Sequence, residues 1–262
     1  MHTSDRLLHP PLPIRLYSVW FRHFRVYTKS LISNGLPPFL EPLIFLAGIG
    51  LGMGRYIDTM AGMPYISFLA TGLPITAAMF TAAFECSYGT FIRLEFDHVY
   101  EGMLAAPISV NDLLVGEIIW AGTKGVFFSL AVIIVVGAFG FIPLPWSLTT
   151  PLIGFLTGVM FAALSMLITS IVKNINHFNF YFTGFLSPMF FFSGVVFPLE
   201  NLPTVLRYFA ECFPLTHVVR LCRAGDFAQF TMSLLLDLLF IVLFTAITGW
   251  LGVVRLKKKL IQ

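Results

Sequence analysis

Charge is the first thing this sequence lacks. Only 11% of its 262 residues are Asp, Glu, Lys or Arg, where a soluble domain carries about 25%. That deficit excludes a soluble enzyme, a disordered chain and a nucleic-acid binder of the usual basic kind. Cysteine is scarce too. Cys86, Cys212 and Cys222 are too few and too scattered for a disulfide scaffold or a zinc site. Cys212 and Cys222 pair only if their segment meets an oxidising compartment, and three free thiols is the simpler expectation. No phosphate loop occurs, since the fragment Gly122-Thr-Lys124 lacks the spacing. H-E-x-x-H, paired-cysteine and G-x-S-x-G patterns are missing as well. A catalytic reading is left without a constellation, so uphill work would draw on an ion gradient or another polypeptide. The first 30 residues hold Arg6, Arg15, Arg22, Arg25 and Lys29 and no unbroken apolar core. They do not read as a cleavable signal and are expected to stay in the cytoplasm.

What is abundant is apolar. The chain is 57% hydrophobic with a mean hydropathy of +0.86, which points to one all-α integral membrane domain over residues 1–262. A hydrocarbon core of ~30 Å takes about 20 apolar helical residues to cross. That ruler gives six spans, at 33–54, 64–92, 111–141, 147–172, 179–199 and 231–254. Pro42, Pro74 and Pro188 fall inside spans, which neighbouring helices accommodate in a bilayer. Residues 13–30 predict a different helix. At ~100° per residue, Arg15, Arg22, Arg25 and Lys29 share one arc, with Leu16, Trp20, Phe24, Tyr27 and Leu31 opposite. A basic face over an aromatic underside describes a helix lying in the membrane interface.

Lysine and arginine set the orientation. With the N-terminus inside, Arg6, Arg15, Arg22, Arg25, Lys29, Arg93, Lys173, Arg255, Lys257, Lys258 and Lys259 lie on the inner side. Arg55, Arg207, Arg220 and Arg223 lie on the outer side, and Lys124 falls within a span. An even number of spans then places both termini in the cytoplasm. Two connections are more than loops. The inner segment 93–110 carries Glu95, Asp97 and Glu101, while Leu94, Val99, Leu104 and Ile108 support a short surface helix. The outer segment 200–230 has apolar runs at 205–210 and 215–221 on either side of Pro214, a length that suits re-entrant or interfacial helices.

Ionisable groups within spans are Glu41, Glu85, Glu117, Lys124 and Asp237. Charges at such depth face a bundle interior or water, so they read either as a polar pathway or as ties between helices. Glu117 and Lys124 share a helical face but stand about 10 Å apart along it, too far for a direct bridge. The fifth span is crowded with aromatics, Phe185, Phe190 and Phe191 among them. Such rings stack on sugars or grip acyl chains, and they equally serve as plain lipid-facing surface. Gly184, Ser187, Ser193 and Gly194 within it would permit close helix approach.

One block is specific. Glu101-Gly102-Met103-Leu104-Ala-Ala-Pro107-Ile-Ser109 resembles the E-G-x-L-x-x-P-[IL]-S segment of bacterial ABC-2 type exporter permeases. Ser193-Gly-Val-Val-Phe-Pro198-Leu-Glu-Asn-Leu-Pro203 and Pro214-Leu-Thr-His217 resemble that family's end of span five and its returning outer helices. Gly62-Met-Pro-Tyr65, Phe84-Glu85, Gly116-Glu117, Thr123-Lys124 and Pro188-Met189 resemble the nodulation-type branch, which exports lipo-chitooligosaccharides. Arg220 departs from it, standing where members often carry an acidic residue. The resemblance implies six spans in a bacterial inner membrane, a second permease copy as partner and two ATPase subunits. Residues 101–104 and 107 would be the coupling helix that docks on the ATPase. It implies no cofactor on this chain, with ATP and Mg held by the ATPases, and a lipo-oligosaccharide, glycolipid or polysaccharide as cargo. Substrate-path candidates are Glu85, Lys124, Phe185, Phe190 and Phe191. Competing readings are an exporter of hydrophobic drugs or antibiotics with the same architecture, a carrier relaying protons through Glu85, Glu117 or Lys124, and a membrane enzyme.

Overall fold

A computed structural model of the chain describes residues 10–54, 56–57, 59–142, 149–226 and 232–261. Arg6 and Arg55, with the side chains of Glu41 and Pro42, fall outside what is described. The order is α1 (Leu12–Lys29), α2 (Leu31–Gly54), a two-stranded hairpin (β1, Thr59–Met60; β2, Met63–Pro64), α3 (Tyr65–Glu95) and α4 (Val99–Leu104). Then follow α5 (Val110–Ala138), α6 (Thr150–Ile171), α7 (178–192), α8 (Thr204–Glu211), α9 (Pro214–Asp226) and α10 (Ser233–Ile261). Among the described residues, α2, α3, α5, α6 and α10 are long and apolar enough to cross a membrane.

The segment expected to be the fifth span, 179–199, differs in length. Its helix α7 ends at Phe192. Fifteen residues rise ~22 Å at 1.5 Å each, short of a ~30 Å core. The chain then turns at Gly194, whose φ of +85° is freely available only to glycine. Beyond it, α8 leaves Val205, Tyr208 and Phe209 exposed, whereas α9 buries Leu215, Val218, Val219 and Cys222 within the bundle. Helix α9, at 13 residues, is packed within the bundle but is too short to cross a ~30 Å core. Pro203 and Pro214 stand at the starts of α8 and α9, where a missing N–H costs nothing.

The bundle is drawn together at a glycine seam. A Cβ on Gly125 of α5 would lie 2.5 Å from the carbonyl oxygen of Gly154 in α6, so these backbones touch directly. The small residue of α7, Gly184, has nothing within 4 Å of its would-be Cβ. Close approach therefore occurs at α5–α6 and not at Gly184. Among the described residues, three helices contain a π-helical turn, at Leu46–Leu51, Glu85–Gly89 and Phe182–Leu186. Such turns shift the helical register locally and recur at functional sites. The second one carries Glu85.

Candidate functional site

The site is built where α1, α3, α4 and α5 meet at one end of the bundle. Lys124 Nζ on α5 lies 2.9 Å from Glu85 Oε2 on α3, and Arg93 Nη1, two turns further along α3, donates to Glu85 Oε1 at 2.8 Å. Arg93 Nε is also 3.0 Å from Glu117 Oε1 on α5. The other oxygen of Glu117 accepts from Thr90 Oγ1 at 2.8 Å and from Tyr100 Oη on α4 at 2.5 Å. His23 Nε2 of α1 stands 3.3 Å from Glu117 Oε1. Glu117 and Lys124 are thus not bridged directly, as their separation dictates, but are linked through Arg93 and Glu85.

Two carboxylates face two cations here, and Glu117 is fully buried. Burial of ions is tolerable only with this density of partners. Tyr100 is buried among them. Desolvation, with the Glu117 carboxylate adding to it, pushes its phenol well above the usual range. Tyr100 therefore stays protonated and donates. Glu101, Gly102 and Pro107 are exposed, while Met103 and Leu104 are half-buried against the core. Helix α4 thus presents an open face outward and plants Tyr100 inward. Its exit is fixed by a capping box in which Ser109 and Asp112 satisfy each other's backbone N–H groups at the start of α5.

Helix α1 does not sort its faces as the sequence predicts. Val19 and His23 are its buried residues, and Arg15, Trp20 and Arg22 flank them half-buried. Arg15 pairs with Asp112, Trp20 Nε1 donates to Thr123 Oγ1 at 3.0 Å, and Val19 sits where a Cβ on Gly116 would be, 2.6 Å from its Cγ1. Burial and the neighbouring Arg93 lower the pKa of Arg22. Arg25, stacked over the Phe21 ring at 5.8 Å, and Lys29 keep the outward position expected of the basic arc. The expectation weighed lipid against headgroup. The third neighbour, α5, offers Asp112 and Glu117, and it captures the seam between the two faces.

From this cluster a groove runs along the bundle beneath α2. Lys124 lies 5.5 Å from the Tyr27 ring and 5.8 Å from Phe128 and borders a cavity of about 570 Å³ with Ser33, Asn34, Phe80 and Phe182. A second cavity of about 170 Å³ shares Ala77 and Phe80 with the first and ends on Phe45 and Phe190. Of the path candidates, Lys124 and Phe190 line this groove and Glu85 holds Lys124 from behind. Phe185 packs on Tyr181 and Phe213, and Phe191 lies half-exposed against Phe190. Cys86 and Cys222 are buried and Cys212 is exposed. Arg220 pairs with Glu211, and His217 Nδ1 lies 2.6 Å from Asp237 Oδ1.

Residue patterns in one dimension missed His23, Thr90 and Tyr100. Each lies on a different element from Glu117, up to 94 positions away in sequence, and no spacing rule connects them. The available signal was the tyrosine directly before Glu101 on α4.

Against known proteins, the model of the ABC-2 type transporter family matches residues 15–227. Nodulation protein J of Sinorhizobium fredii strain NGR234 is 32% identical over 253 residues, 97% of each chain. Nodulation protein J of Rhizobium leguminosarum biovar trifolii is 36% identical over 207 residues, 79% of each. The inner membrane transport permease YadH of Escherichia coli K12 is 22% identical over 215 residues, covering 81% of this chain and 82% of its own.

Proposed function

Because the chain belongs to the ABC-2 type transporter family and is the membrane-spanning permease subunit of an ABC exporter, we propose a specific route by which a partner's ATP hydrolysis moves its cargo. Two copies of the chain sit in the bacterial inner membrane with both termini in the cytoplasm, each gripped by an ATPase subunit at Glu101, Gly102, Met103, Leu104 and Pro107. ATP and Mg reside on those ATPases. The cargo is a lipo-oligosaccharide or related glycolipid. Its acyl chain enters sideways along the aromatic groove between Lys124 and Phe190, which keeps the chain in apolar contact.

The observation that carries this reading is Tyr100. It is the one side chain of α4 that is fully buried, and its hydroxyl ends on Glu117. A push on α4 is therefore felt by Glu117, passes to Arg93 and Glu85, and reaches Lys124 at the groove wall. Lateral displacement of Lys124 changes how the groove binds its occupant, which is the differential affinity that any driven transition requires. Mutual neutralisation of Glu85 and Lys124 leaves a proton relay no unpaired carboxylate at this point.

The test is reconstitution with a candidate ATPase subunit from the same organism. Glu101→Arg or Leu104→Asp is expected to lose the ATPase in pull-down. Tyr100→Phe is expected to retain the ATPase and its hydrolysis while transport falls about tenfold. Retention of the ATPase by both α4 variants removes the docking surface from α4. Transport that continues without ATP and collapses with the proton gradient replaces the exporter by a carrier.

A further inference from the structure

At the end of the bundle away from α4, the structure has a cavity that the coupling route does not use. It measures about 510 Å³ and lies between the hairpin β1–β2, the start of α3, the turn after α7 and helices α8 and α9. Cavities of roughly 300–1,000 Å³ suit small ligands. Its lining is unlike the rest of the chain. Glu200, Arg207, Glu211, Arg220 and Arg223 all border it, although only 11% of the sequence is charged. We propose that this cavity binds a short saccharide, neutral or singly anionic, and is the station where the polar head of the cargo rests before release. The role as a station depends on the exporter reading; the saccharide site itself does not.

Three observations carry the assignment. First, hydrogen-bonding groups here are left unmet. Ser193 is 1% exposed and its Oγ has no partner among the described residues, and the buried Nε of Arg220 has none either. Buried polar groups without partners are rare and call for an explanation. Secondly, the charged groups are held in place beforehand. Arg223 Cζ lies over the Phe68 ring at 3.9 Å and its Nε donates to Thr71 Oγ1 at 3.0 Å, while Arg220 is braced between Glu211 and Asp237. Rigid donors lose little entropy on binding. Thirdly, the signs are mixed. Glu200 and Arg207 have no ion-pair partner among the described residues, so the cavity offers an open carboxylate and an open guanidinium together.

That mixture selects the ligand. A phosphate or other polyanion meets Glu200 and Glu211 at like charge, and a cation meets three guanidiniums. Vicinal hydroxyls donate and accept at once, so each can satisfy a guanidinium on one side and a carboxylate on the other. An acyl chain would strand every one of these groups. Arg220, the departure from the family pattern, becomes a wall of the site whose charge is balanced by Glu211.

The experiment titrates soluble oligosaccharides of glucose and N-acetylglucosamine, the singly charged monosaccharide galacturonate, and inorganic phosphate into the full chain in lipid nanodiscs, read by saturation-transfer NMR and calorimetry. At least one saccharide is expected to bind saturably. Arg207→Ala, a change at an exposed position, is expected to weaken it about tenfold, as for one hydrogen bond to a charged group, and Ser193→Ala and Glu200→Gln each several-fold. Unchanged thermal melting of Arg207→Ala shows that the loss is not misfolding. No saturable saccharide binding, or binding indifferent to all three changes, overturns the site, and phosphate binding that displaces the sugar converts it to an anion site and overturns it equally. Transport by the complex is measured in parallel. ATP-driven transport without saccharide binding sinks the site alone, and saccharide binding without ATP-driven transport sinks the exporter reading alone.

Discussion

Arg93 decides whether the buried cluster is a liability or a joint. One guanidinium reaches Glu85 through Nη1 at 2.8 Å and Glu117 through Nε at 3.0 Å, a fork that a lysine ammonium cannot reproduce. Removing it strands the Glu117 carboxylate in the bundle and leaves Glu85 with Lys124 alone. Arg93→Ala is therefore expected to cost about 3–5 kcal/mol, the penalty of breaking a buried pair from one side, seen as a large fall in the thermal midpoint of the purified chain. Arg93→Lys should recover part of that loss. The double change Arg93→Leu with Glu117→Leu should melt higher than Arg93→Ala, because it removes the stranded charge along with its partner. A double variant that melts lower than the single would show that the ions stabilise the fold outright.

At the scale of elements, α1 rests on α5 by steric fit as much as by charge. Val19 occupies the space that a side chain at Gly116 would need, with 2.6 Å from its Cγ1 to the would-be Cβ. A valine is branched at Cβ and cannot swing aside. Gly116→Ala is expected to destabilise by about 1–3 kcal/mol through overpacking, and Val19→Ala in the same chain should restore most of it. Thermal melts of the single and double variants check the pairing, and failure of the rescue would mean that α1 is not seated on Gly116.

The spanning elements were legible because a bilayer imposes length and apolarity on each one separately, and both are written in consecutive residues. Helices α1, α8 and α9 were legible as helices from their periodicity and from the prolines at their starts. The length of α7 was not, since its turn depends on Gly194 adopting a left-handed backbone, while Phe192 and Val195 on either side continue the apolar run. The inward side of α1 was hidden too. Periodicity gives the faces of a helix but not which neighbour each face meets, and the neighbour here is a pair of carboxylates on α5. The site was legible in part. Glu85, Glu117 and Lys124 stood out as costly charges in apolar runs, whereas Tyr100 and His23 become significant only once folding brings them to Glu117.

For the whole molecule, everything about coupling rests on which end faces the cytoplasm, and the chain carries its own probes for that question. The end that holds α4 also holds the basic C-terminal turn of α10, where Lys259 pairs with Glu95 at 2.6 Å, so the open face of α4 and the tail must share a side. Cys212, between α8 and α9 at the other end, is exposed, and Cys86 and Cys222 are buried. Thiol chemistry follows access. In intact spheroplasts a membrane-impermeant maleimide is expected to label Cys212 and to leave Cys86 and Cys222 unmodified. With Cys212→Ser, labelling should vanish. A cysteine placed on the exposed face of α4, Gly102→Cys, should stay silent in intact spheroplasts and react once the membrane is opened. The reverse pattern would turn the molecule over, placing α4 beyond the reach of any cytoplasmic ATPase and leaving the Tyr100–Glu117 contact with nothing to transmit.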